Sequence, residues 1–195
     1  MRGYFLILLF AVAGTYANGK SVPWHDGVLV LKDHQVLVGE VVIEPAFDVI
    51  LFRSEDHSSF CAIDKVDYVV YHDAVAGLNR KFLALQTENR ARDAFQLYEV
   101  VIQGPLSVVR KPRGSYIPDL DDVNSFEYFV LNGEHSLVRV SRFNKDVYPT
   151  IEAYFTKAQL KSFLHQRKLD PQRLPDALRL IQHYNDWRMA SASAL

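Results

Sequence analysis

The sequence predicts an α+β fold, an antiparallel β-sheet rolled into a small barrel or sandwich over residues 18–150 with two helices in a C-terminal segment, 151–195, packed on it. Three observations predict it. From Gly27 to about Val140, short runs of Val, Ile, Leu, Phe and Tyr alternate with polar turns, the pattern of strands. Asn132 and Gly133 join two such runs, and this pair best accepts the positive backbone angles of a two-residue hairpin. Beyond Val140 the apolar period lengthens from about two to about 3.6, the period of a helix face.

The first 17 residues read as a secretory signal. Arg2 gives the positive start, Tyr4 to Ala13 the apolar centre, and Thr15 and Ala17 the small residues before a cut at Asn18. The apolar run is shorter than the roughly 20 residues a membrane span requires, and no later stretch reaches that length. The expectation is an exported protein, periplasmic or secreted, with no transmembrane segment after cleavage. Cys61 is far from the cut, which excludes lipoprotein anchoring, and as the single cysteine it can form no intramolecular disulfide. Set in Phe60-Cys61-Ala62-Ile63, it reads as a small buried hydrophobe.

The strands follow in order. Val28–Leu31 and Val36–Ile43 flank the turn 32–35. Asp33 and His34 stand there in place of an Asn-Gly or Asp-Gly pair, so a longer or bulged turn is expected. Asp48–Arg53 follows Pro45. Phe60–Ile63 and Val66–Tyr71 are separated by a tight bend at Asp64 and Lys65, and Arg80–Thr87 comes next. Phe95–Gln103 and Leu106–Lys111 turn at Gly104 and Pro105. Residues 112–125 form a long polar connection, a length often tied to function. Phe126–Leu131 and Glu134–Val140 complete the sheet. Thr156 and Gln159 make a capping box for a helix burying Leu160, Phe163 and Leu164. Pro171 or Pro175 opens a second helix burying Leu174, Leu178, Ile181 and Tyr184 or Asn185, with a frayed tail from Ala190.

Trp24 to Gly27, the first hairpin with Gly39, Tyr98 to Gly104, and Ile181-Gln182-His183-Tyr184-Asn185 together resemble a group of exported proteins of Bacteroidota. In that group a tryptophan and a glycine open a strand, a short meander follows and the chain closes on a helix ending in Tyr-Asn. The resemblance covers most of the chain after the signal. It implies a compartment and an architecture, with no activity to carry over.

The formal net charge of -1 becomes -2 once Arg2 leaves, so bulk charge gives no drive toward nucleic acid or anionic membranes. Phosphate loops, nucleophile elbows, zinc-protease helices and paired-cysteine sites are missing from the sequence. The seven histidines include no pair three or four residues apart, and neither metal nor cofactor is expected. His25-Asp26 and His72-Asp73 read as turn or strand-end residues, because neighbours on a strand face opposite sides. Asp119, Asp121, Asp122 and Asn124 lack the spacing and the glycine of a calcium loop and read as a solvated acidic loop. Arg80, Lys81, Arg90, Arg92, Arg110, Lys111 and Arg113 read as solvated charges that keep strand edges from pairing.

The function expected is therefore a non-enzymatic binding or envelope-associated module that engages an envelope protein or a surface glycan. Trp24 and Tyr116 are the expected exposed anchors, since exposed aromatics concentrate interface energy. The alternative is an extracytoplasmic hydrolase whose site assembles only in space from His57, His72 or the Asp119–Asp122 loop.

Overall fold

The structure, a computed structural model, describes residues 23–44, 49–55, 57–87, 95–114, 122–131 and 136–193. The expected signal, the Pro45 and Asn132-Gly133 turns, and Tyr116, Asp119 and Asp121 lie outside them. The α+β class is seen: among the described residues ten antiparallel strands make one sheet, and helices follow. The strands are β1 (His25–Leu31), β2 (Val36–Glu44), β3 (Val49–Arg53), β4 (Ser58–Ala62), β5 (Val66–Asp73), β6 (Leu78–Gln86), β7 (Phe95–Ile102), β8 (Ser107–Pro112), β9 (Phe126–Leu131) and β10 (Leu137–Arg139). Their spatial order is β10-β9-β8-β7-β6-β5-β1-β2-β3-β4.

The expected barrel or sandwich is not what these strands form. The sheet is open, with β10 and β4 as its edges. β1 to β4 run outward as a meander, β5 returns to the free side of β1, and β5 to β10 run outward the other way, so β4 and β10 end up as the outermost strands, unpaired with each other among the described residues. The single-turn 3-10 helix 63–65 between β4 and β5 packs against β7. The 32–35 turn is long, as expected, with His34 at φ +69°.

The helical part begins with a 3-10 turn at Val140 and holds two short helices, α1 (Phe143–Asp146) and α2 (Tyr148–Glu152), ahead of α3 (Lys157–Arg167) and α4 (Leu174–Ala192). Both halves of the Thr156/Gln159 capping box form, and Pro175 sits in the first turn of α4. The expected fraying from Ala190 is not seen, since α4 continues to Ala192. Among the described residues no helix is long and apolar enough to cross a membrane.

Strand alternation sorts the side chains into two faces. One face carries two apolar clusters. One gathers Leu29, Val41, Ile50, Val66 and Val69 from β1, β2, β3 and β5. The other joins Val108, Tyr128 and Val130 to Ile151, Leu180 and Ile181 beneath the helices. The opposite face carries Tyr98, Val109, Phe129 and Leu137.

Candidate functional site

A ladder of buried charge separates these two clusters. Asp73 ends β5, Arg80 lies on β6, Glu99 on β7 and Arg110 on β8, all on the face that carries Phe82, Leu97 and Val108. Arg80 Nε donates to Asp73 Oδ2 at 2.7 Å and its Nη1 to Glu99 Oε1 at 2.5 Å, while Arg110 Nε donates to Glu99 Oε2 at 2.7 Å. Asp73, Arg80 and Glu99 are only 7–8% exposed, and Arg110 lies with its guanidinium 3.9 Å from the Phe126 ring centre. The sequence reading of Arg80 and Arg110 as solvated charges is therefore corrected. Each shares a strand face with apolar residues, and two carboxylates answer two guanidiniums, so the group is neutral as a whole.

Burial works against both guanidinium charges, but the hydrogen-bonded carboxylates more than offset it and hold both groups protonated. Burial also pushes the adjacent Tyr71 hydroxyl up to about 12. Every member is paired within the ladder, which makes it a structural brace between the two cores rather than a reactive centre.

Asp73 also caps the β5–β6 turn, its Oδ1 accepting from the Ala76 and Val75 amides at 3.0 and 3.1 Å. The Ala76 amide first, and then Arg80, hold its carboxyl below the usual carboxylate range. With the folded pKa below the unfolded one, its stabilising contribution is full above the unfolded value of about 3.9 and is lost as pH falls through the folded value. Urea midpoints measured from pH 6 to pH 2 are expected to fall in that acid range, and Asp73→Asn is expected to flatten the fall. An unchanged acid limb in the variant would contradict this role.

The open cleft lies elsewhere, at the end of β8 to β10 where the sheet meets α1 and the start of α4. Its volume is about 480 Å³, within the range of small-ligand sites. Arg113, Glu127, Arg139, Ser141, Asn144 and Gln172 bring polar groups to its wall, above Phe143 and Leu174. Arg139 Nη1 donates to Glu127 Oε1 at 2.9 Å, and Lys111 Nζ is 3.9 Å from Glu127 Oε2. Arg113 is fixed by its Nε bond to the Phe126 carbonyl at 2.9 Å. Guanidinium, amide and hydroxyl groups thus converge on one mouth, with a carboxylate already neutralised by two cations. Such a wall can hold a ligand rich in hydroxyl or carboxylate groups by several hydrogen bonds at once.

No family model, curated protein or solved structure matches this chain. The site stands on its geometry.

Trp24 is half-buried ahead of β1, with the Arg53 guanidinium 4.5 Å from its ring centre and Arg53 in turn bonded to Glu40 at 2.6 Å. It is not part of the cleft. His57 is exposed in the β3–β4 turn, and His72 Nδ1 lies 2.9 Å from Asn79 Oδ1 on β6. Asp122 caps the 3-10 turn 123–125 through the Asn124 amide. Strands β6, β7 and β8 stand between His72 and β9, and no hydrogen bond among the described residues links His57, His72 and Asp122. No group of three or more His, Cys, Asp or Glu is placed to hold a metal ion among the described residues. The cleft residues come from β9, β10, the 3-10 turn at Val140, α1, α4 and the connections after β8 and before α4, so no spacing in the sequence announced them. The buried ladder did leave a signal in the sequence, Glu99, a charge in the middle of an apolar strand.

Proposed function

We propose that this chain is an exported binding module that holds a polar ligand, a surface glycan in the first instance, in the cleft between β8–β10 and the helices. The observation that carries this is the cleft wall, where Arg113, Arg139, Ser141, Asn144 and Gln172 present hydrogen-bonding groups beside the apolar Phe143 and Leu174. Glycans are recognised by such convergent donors and acceptors. The Glu127 carboxylate, paired with Arg139 and close to Lys111, suits a positioning role better than proton transfer, which supports binding over hydrolysis.

Titration calorimetry of the purified chain against acidic and neutral oligosaccharides tests the proposal. Saturable binding is expected, and Arg139→Ala is expected to weaken it at least tenfold, the effect of losing one charge-assisted hydrogen bond worth about 1.5–3 kcal/mol. Absence of saturable binding to every glycan, or equal affinity in Arg139→Ala and Asn144→Ala, would overturn it.

A further inference from the structure

The two edges of the sheet differ. β10 is a three-residue edge that carries Arg139, paired to Glu127, and passes directly into the helical region. β4 is five residues, Ser58-Ser59-Phe60-Cys61-Ala62, with no charge, proline or bulge, and among the described residues its only strand partner is β3. Edge strands of soluble proteins ordinarily carry such protections, because their unpaired backbone groups are a template for another strand.

The side chains point the same way. Val42, Leu51 and Phe60 are register partners across β2, β3 and β4, so they form one apolar row on one face. Exposure rises along the row, from 3% at Val42 through half-buried Leu51 to 76% at Phe60. The row stops at the edge with its largest side chain uncovered.

We propose that β4 is a self-association edge, occupied by β4 of a second copy of this chain in antiparallel pairing about a two-fold axis at Phe60. That axis is perpendicular to the sheet, so Phe60 meets Phe60 on the same face, and Ser58 and Ala62 flank them. The row becomes continuous across the interface, and Ser59 lies opposite Cys61. The strand is self-complementary because it is uncharged: no like charges meet, and the aromatic pair is of the kind that stabilises cross-strand contacts. A two-fold interface of this type closes on itself and, among the described residues, leaves β10 as the edge at each end of the joined sheets.

Sedimentation equilibrium of the full chain across micromolar concentrations tests this. A dimer is expected, with Phe60→Lys shifting the dissociation constant at least tenfold toward monomer, since it sets two like charges opposite each other at an exposed position that leaves folding intact. Val75→Lys, at a 96% exposed turn residue off the edge, is expected to leave it unchanged. Monomer at every concentration, which is also the result if β4 serves a strand of a different protein, overturns the proposal. So does a dimer that Phe60→Lys leaves intact. Glycan binding is unaffected in either case, so this test and that of the cleft fail separately.

Discussion

Glu99→Ala is expected to lower the unfolding free energy by about 3–5 kcal/mol, the cost typical of breaking a buried ion pair from one side. Glu99 is the hub of the ladder: one carboxylate oxygen serves Arg80 and the other Arg110. Its removal leaves Arg80 held by Asp73 alone and leaves two guanidiniums as near neighbours, with side chains only 8% and 12% exposed. Water cannot take over at that depth without opening the seam between the clusters. Since a domain of this size is stable by only about 5–15 kcal/mol, the variant is expected to be near its folding threshold. Guanidinium titrations of the wild type and Glu99→Ala measure the loss. Replacing the set together, as Arg80→Met, Glu99→Leu and Arg110→Met, is expected to recover most of it, because matched apolar side chains substitute for a buried ion network at little cost. A loss below about 1 kcal/mol in Glu99→Ala would show that water, not protein, solvates these groups.

How far the sequence foretold this molecule depends on the kind of interaction. The strands were legible because each carries its own alternation, and β1 to β9 fall within a few residues of the runs of Val, Ile and aromatics. Thr156 and Gln159 were legible because a capping box is local, needing two side chains three residues apart. Closure was not. Whether ten strands form a barrel or an open sheet is decided by whether the two outermost strands pair with each other, and nothing local announces that β4 and β10 do not, or that β5 pairs with β1 and not with β4. The short helices α1 and α2 escaped because a single turn has no periodicity to show. Arg80 and Arg110 were misplaced for a related reason: a charge next to a turn looks solvated until its partner, here Glu99 on a different strand, is brought beside it. The cleft was least legible, since Arg113, Arg139, Asn144 and Gln172 meet only after the helices fold back on the end of the sheet.

The same folding back depends on a contact between two segments that the sequence set apart without explaining, Gly104 and the Tyr184-Asn185 pair. Asn185 is fully buried on α4, where it is a poor helix former, and its side chain acts as a strand partner for the β7–β8 turn. Its Oδ1 accepts from the Leu106 amide and its Nδ2 donates to the Leu106 carbonyl, both at 2.9 Å. Asn185→Ala leaves both backbone groups buried and unpaired at about 1–3 kcal/mol each, against less than about 1 kcal/mol regained in helix propensity, so a net loss of about 2–5 kcal/mol is expected. Asn185→Leu keeps the branched shape but puts methyl groups in place of both polar atoms, and is expected to be no better. A wild-type stability in Asn185→Leu would refute the role. Gly104 is the other half of the contact: a Cβ there would lie 2.5 Å from Asn185 Cγ and 2.6 Å from its Nδ2. Because the amide is pinned at both ends it cannot swing away, and Gly104→Ala is expected to destabilise on its own. Combined with Asn185→Ala, which removes those two closest atoms, the losses are expected to sum to less than the two single effects. Strict additivity in that double-mutant cycle would mean that the turn and the helix do not hold each other.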